Sequence, residues 1–183
     1  MCGIIGIYGI GEKKEQYRQR ALCMAKHIRH RGPDWSGIYS DEHAVLCHER
    51  LAIVDPTSGA QPLIDTKTGS ILAVNGEIYN HLELRKKLKQ DHDWQTKSDC
   101  EIILYLYDEY GPKCVEMLSG IFAFVLYDKK HRELFVARDH MGICPLYWGW
   151  DEQGVLHVAS EMKALDAYCC KIEEFEPGSY YHK

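Results

Sequence analysis

The chain has 183 residues, of which 45% are hydrophobic and 27% charged; this is the composition of one globular domain and excludes disordered, low-complexity and collagen-like chains. Lys plus Arg number 22 against 27 Asp plus Glu, a net charge of −5, so no electrostatic feature favours nucleic acid or an anionic membrane surface. The longest apolar run, Ile121 to Tyr127, is seven residues, far short of the ~18–20 that a membrane span requires.

The apolar N-terminus reads as a buried strand over 3–9. It lacks the basic leading region and the A-x-A-like cleavage site of a signal peptide, which points to a cytoplasmic protein. Leu22, Ala25 and Ile28 at helical spacing, with Met24 beside them, predict a helix over 15–29 that stops at Arg31-Gly32-Pro33. Strand patterns follow at 43–48 and 71–74. Asn80 to Glu83 reads as a helix opening, with Asn80 as cap and Glu83 reaching back. Ser98-Asp99-Cys100-Glu101 is a stronger capping box, opening a helix through Ile102, Ile103, Leu106 and Tyr107.

After residue 119 strands take over. Ile121–Tyr127 and 133–137 flank a polar turn and predict a hairpin, and further strands are expected at 145–149, 155–159 and 179–182. Helices in the first half and strands in the second predict an α+β domain with largely antiparallel sheets. The chain stops inside a strand pattern, so the expectation is the front piece of a longer protein.

Eight cysteines and ten histidines raise the question of metal or disulfides, yet no cysteine pair has C-x-x-C spacing. The expectation is no metal, with cysteines such as Cys23 and Cys47 serving as small core residues. Cys2 is different. If Met1 is removed, one residue carries both a thiol and a free α-amine of pKa near 7.7–8.0, a nucleophile with its own general base. A small second residue also occurs without any catalytic purpose. A second candidate follows the strand 71–74: Asn75 and Gly76 have the donors for an oxyanion hole, one side-chain amide and one backbone N–H. The same dipeptide is a common hairpin turn.

Both residues belong to an ordered set. Met1-Cys2-Gly3-Ile4, His30-Arg31-Gly32-Pro33-Asp34, His48-Glu49-Arg50-Leu51, Asn75-Gly76-Glu77-Ile78-Tyr79-Asn80, Ser98-Asp99-Cys100-Glu101, Gly120-Ile121-Phe122-Ala123-Phe124 and Arg138 to Tyr147 occur in that order. The whole chain resembles the class II, N-terminal-cysteine glutamine amidotransferase domain, and more narrowly the glutaminase domain of glutamine-hydrolysing asparagine synthetases of the B type. The resemblance implies a four-layer αββα sandwich of the N-terminal nucleophile hydrolase type. It implies Cys2 as the nucleophile toward L-glutamine, and Asn75 and Gly76 as the oxyanion donors. Arg50 would face the substrate carboxylate, with Glu77 and Asp99 at its ammonium. Leu51, Ala52, Ile53 and Val54 are expected to line the same pocket.

Arg31 to Asp34 is expected to be a rigid loop at the pocket mouth, with Arg31 facing an ammonia-accepting domain. Arg138 and Asp139 are expected to pair with each other. No Ser-Gly-Gly-x-Asp-Ser loop is present. ATP and Mg are therefore expected only in a C-terminal synthetase domain outside this chain, and no cofactor for the glutaminase step. The partners implied are L-glutamine and that domain, with room for a homodimer. Three other readings stay open: the glutaminase part of an amidotransferase of glucosamine-phosphate or purine synthesis, a glutamine-sensing module, and a Cys/His metal protein.

Overall fold

A computed structural model describes residues 1–52 and 59–183. Among them eleven strands form two antiparallel sheets. The first holds β1 (Gly3–Tyr8), β2 (Trp35–Ser40), β3 (Ala44–Arg50), β8 (Tyr147–Trp150), β9 (Leu156–Ala159) and β10 (Lys171–Glu174), in the order β10-β8-β9-β1-β3-β2. The second holds β4 (Leu63–Ile64), β5 (Ile71–Ile78), β6 (Gly120–Asp128), β7 (Glu133–Arg138) and β11 (Tyr180–His182), in the order β11-β7-β6-β5-β4. Helix α1 (Lys14–His27) covers the outer face of the first sheet; α2 (His81–Arg85) and α3 (Ile102–Tyr110) cover that of the second.

Strand alternation builds these layers. In β1, Ile5 and Ile7 pack outward against Tyr17, Ala21 and Met24 of α1, while Ile4 points between the sheets. In β3, Val45 and Cys47 go outward, Ala44 and Leu46 inward. In β5, Leu72 and Val74 meet α3, and Ile71 and Ala73 face the first sheet. Each large apolar side chain so buried contributes about 1.5–3 kcal/mol over leaving it in water. The expected αββα sandwich is the observed fold.

Local differences have physical causes. Cys23 is exposed rather than a core residue, whereas Cys47, Cys100, Cys114 and Cys144 are buried. β2 is an edge strand with half-exposed side chains, so it carries little hydrophobic alternation to read. Asn80 precedes α2 but does not cap it; its amide bonds the Met117 carbonyl and the Ser119 N–H instead. Ser98 does cap, accepting from the Cys100 N–H, but Glu101 turns away to the N–H groups of Gln95 and Thr96. Arg138 and Asp139 do not pair. Arg138 closes β7 and Asp139 opens the turn that follows it, so Arg138 reaches Glu174 and three carbonyls, while Asp139 accepts from the N–H groups of Phe122, Met141 and Cys144.

Candidate active site

The inward alternation of three strands converges at one end of the sandwich. Cys2 continues the inner row of Ile4, His48 and Arg50 continue that of Ala44 and Leu46, and Asn75 and Glu77 continue that of Ile71 and Ala73. A half-open pocket there encloses about 630 Å³ of empty space, part of it open to solvent. Cys2, Arg50, Leu51, Asn75, Gly76, Glu77 and Asp99 all line it. Of the other expected lining residues, Ala52 stays outside, its N–H donating to the Asp34 carboxylate at 2.9 Å. Ile53 and Val54 lie outside the described residues. Gln61, Ser98, Cys100, Ile121 and Cys144 also line the pocket; they come from four separate segments, and nothing in their sequence spacing signals it.

The Cys2 thiol is half-buried and accepts the Leu51 N–H at an N–S distance of 3.3 Å. Burial raises its pKa, outweighing the lowering by the Leu51 hydrogen bond, the chain terminus, Arg50 and Arg31. The thiol is therefore protonated at neutral pH and requires a base to attack. Among the described residues no histidine hydrogen-bonds it. His48, the nearest inward histidine in sequence, is turned elsewhere: its Nε2 donates to the Val74 carbonyl at 2.9 Å across the two sheets, and its Nδ1 is buried without a partner. Burial lowers its pKa to about 4, so the ring is neutral. It pins β5 to β3 rather than serving the thiol.

β5 does not turn at Asn75-Gly76. It runs on to Ile78, with Asn75 opposite Ala123 and Gly76 opposite Phe122 in β6. A Cβ at Gly76 would lie 2.1 Å from the Ile121 carbonyl oxygen, so only glycine admits this approach of the strands. Phe122 spends both its N–H and its carbonyl on Asp139. Its partner Gly76 is thus in a non-hydrogen-bonded pair, with its N–H turned to the other edge of β5. β4 pairs that edge only at Ile71 and Leu72. Beyond it, Val74 N–H donates to Gln61 Oε1 at 2.9 Å and Ile78 N–H to Asp99 Oδ2 at 2.6 Å. Gly76 N–H lies between them, facing the pocket. Asn75 Nδ2 is buried and has no hydrogen-bond partner, a state that normally costs about 1–3 kcal/mol. A side-chain amide and a backbone N–H thus share one wall of the pocket, the donor pair an anionic oxygen requires.

The Arg31–Asp34 loop is structural, as expected, but Arg31 does not face outward. Its side chain is 10% exposed, and its Nε donates to the Cys2 carbonyl at 2.8 Å. Gly32 packs so closely on β3 that a Cβ would sit 2.2 Å from the Glu49 carbonyl oxygen. Asp34 N–H bonds the Arg50 carbonyl. The loop therefore sets the backbone of residues 50–52, from which Leu51 reaches the thiol.

One cluster among the described residues has metal-ligand geometry: Asp128, His131 and Glu133 hold ligand atoms within 4.8 Å of one another. It sits at the opposite end of β6, where Asp128 closes the hairpin by accepting from Lys130 N–H, His131 N–H and the His131 ring.

A model of the glutamine amidotransferase domain matches residues 1–179. The chain belongs to that family. It is similar to asparagine synthetase B (glutamine-hydrolyzing) of Escherichia coli (strain K12), 52% identical over 180 residues, with 98% of this chain and 32% of that protein covered. Against the probable asparagine synthetase of Schizosaccharomyces pombe the identity is 50%, covering 99% of this chain and 33% of that protein. This amidotransferase domain thus spans about one third of the length of the curated relatives it matches. The glutamine phosphoribosylpyrophosphate amidotransferase of B. subtilis shares its fold at a TM-score of 0.78 and 24% identity, covering 99% of this chain and 47% of that one. The synthetases are about twice as similar to this chain in sequence as that enzyme.

Proposed function

We propose that this domain hydrolyses L-glutamine to glutamate and ammonia through Cys2. The observation that carries the reading is the buried, unpartnered Asn75 Nδ2 sharing a pocket with the Cys2 thiol. With Met1 removed, the α-amine of Cys2 takes the thiol proton as Sγ attacks the side-chain carbonyl carbon. Asn75 Nδ2 and Gly76 N–H hold the resulting oxyanion. As the C–N bond breaks, the amine returns the proton to the departing nitrogen, and ammonia leaves behind a γ-glutamyl thioester. Water, activated by the same amine, releases glutamate. Arg50 is suited to the substrate α-carboxylate by its planar fork of donors, and Glu77 with Asp99 to the α-ammonium. An intact thiol beside the unpartnered Asn75 amide favours catalysis over a glutamine-sensing module.

The whole protein, in this reading, is a glutamine-hydrolysing asparagine synthetase. A C-terminal domain, with ATP and Mg, would use the ammonia to convert aspartate to asparagine. The relatives' names and the one-third coverage support that step. The glutaminase step itself requires no cofactor, since nucleophile, base and donors all come from the chain. The test is ammonia release from glutamine by the purified 183-residue domain, in chelator and without ATP. Turnover is expected, lost in Cys2→Ala, which still binds glutamine. Strict dependence on added metal or ATP would contradict the reading. A Ser-Gly-Gly-x-Asp-Ser loop encoded downstream is expected as well.

A further inference from the structure

Glu161 sits at the centre of a charged cluster that ends on the backbone of Cys2. Its Oε1 accepts from Arg31 Nη1 at 3.1 Å and lies 2.9 Å from His30 Nε2, and its Oε2 accepts from Lys163 Nζ at 2.9 Å. His30 and Lys163 are more than half exposed, whereas Arg31 is the buried inner partner. Arg31 passes the connection inward through its Nε to the Cys2 carbonyl. The residue before Glu161 holds the same strand end from the other side: Ile4 N–H donates to Ser160 Oγ at 2.9 Å, and Ser160 N–H to the Ile4 carbonyl at 3.0 Å.

We propose that Glu161 is a positioning residue for the nucleophile: it fixes the Arg31 guanidinium, which clamps the Cys2 carbonyl and so sets the thiol and the amine of that residue. The inference rests on the reading of Cys2 as nucleophile. β1 pairs with β3 only from Gly3 onward. Cys2 therefore lies outside the ladder, and rotation about its Cα–C bond is free unless something holds its carbonyl. A guanidinium can hold carbonyl and carboxylate at once, because its donors form one rigid plane. The carboxylate makes that hold charge-assisted, roughly twice as strong as a neutral hydrogen bond. Burial opposes ionisation of Glu161, but hydrogen bonds from Lys163, Arg31 and His30 outweigh it and lower the pKa to about 2, so the brace stays charged across the neutral range. Misplacing a reacting group by about 1 Å costs on the order of 10²-fold in rate, and a carboxylate one residue removed from the thiol's own backbone can exact part of that.

The experiment is a double-mutant cycle in the glutaminase assay, with Arg31→Ala, Glu161→Gln and the pair. Glu161→Gln keeps the volume and one acceptor oxygen, so it is the variant suited to folding; thermal melting checks it. It is expected to lower kcat about tenfold with KM within about twofold of the parent, and the double variant to be no slower than Arg31→Ala alone. Lys163→Ala, which removes an exposed partner of Glu161, should retain the parent kcat. The alkylation rate of Cys2 by iodoacetamide, followed by peptide mass spectrometry, reads the thiol's placement without turnover and should change at least threefold in Glu161→Gln. An unchanged kcat and alkylation rate in Glu161→Gln would overturn the proposal, as would fully multiplicative effects in the cycle or a loss confined to KM. If Cys2→Ala proves active, the nucleophile assignment fails instead, and the alkylation rate alone still decides whether Glu161 sets the thiol.

Discussion

The layer between the two sheets ends in polar groups on both sides, and the two ends use them differently. At the end away from the pocket, Asp41 accepts from the N–H groups of His43 and Ala44 and from the Tyr39 hydroxyl. The rings of Tyr8, Tyr39 and Tyr127 gather beside it with centroids 6.3 Å apart. The Asp41 carboxylate is thus spent on its own turn and on Tyr39, and the Tyr8 hydroxyl on the Arg132 carbonyl, while the Tyr127 hydroxyl is buried among the rings without a hydrogen-bond partner. At the pocket end, Cys2, Arg50, Asn75 and Glu77 occupy the equivalent inward positions, and the Asn75 amide is left without a partner. Folding gains nothing from that arrangement; a ligand oxygen does. Position in the alternation is the same at both ends; an unpartnered amide lining a pocket beside a thiol marks the site.

Substitutions at the two ends should separate in kind. Arg50→Ala should leave a substrate carboxylate without its buried partner and weaken glutamine binding by about 2–5 kcal/mol, read as a raised KM or by calorimetry on an inactive background. Asn75→Ala should instead lower kcat by roughly 10²–10³-fold with binding nearly intact; near-normal turnover would remove the amide from the oxyanion site. Asp41→Ala, at the closed end, should cost about 1–3 kcal/mol of folding stability through its orphaned N–H groups. Its kcat should be unchanged, and a catalytic defect there would erase the contrast.

A separate effect concerns pH. His48 between the sheets and His157 beneath α1 are buried and neutral, with pKa values lowered by desolvation to about 4. The unfolded chain protonates both near the usual 6.5, so it takes up protons that the native state does not. Stability should therefore fall as pH drops from about 6.5 towards 4, by up to about 1.4 kcal/mol per pH unit for each histidine. Urea midpoints at pH 7 and pH 5 read this directly, and His48→Gln should flatten the slope.

Much of this contrast is legible in the sequence, for a reason visible in β1, β3 and β5: period-two apolar patterns fix the faces, and extending them by one or two steps puts Cys2, Arg50 and Asn75 inward. Asn75-Gly76 shows where such reading stops. The dipeptide is equally a turn or a strand, and only the pairing of Gly76 with Phe122 decides it. Arg31 and Glu161 are 130 positions apart, so no local pattern could join them to Cys2. Arg138 and Asp139 misled because the strand ends between them and each finds its partners in a different part of the chain. Gln61, Cys100 and Cys144 reach the pocket through tertiary packing that leaves no periodic trace.

The central claim is that one residue supplies both thiol and base, and the state of the N-terminus tests it most directly. With Met1 in place the nitrogen of Cys2 is an amide without basicity, and Met1 itself lines the pocket. Protein with Met1 retained by an uncleavable N-terminal extension can be compared with protein shown by intact-mass spectrometry to begin at Cys2, both confirmed as folded. Glutamine hydrolysis is expected from the second and not from the first. Full-rate hydrolysis by protein proven to retain Met1 would show that the base lies elsewhere and contradict the account.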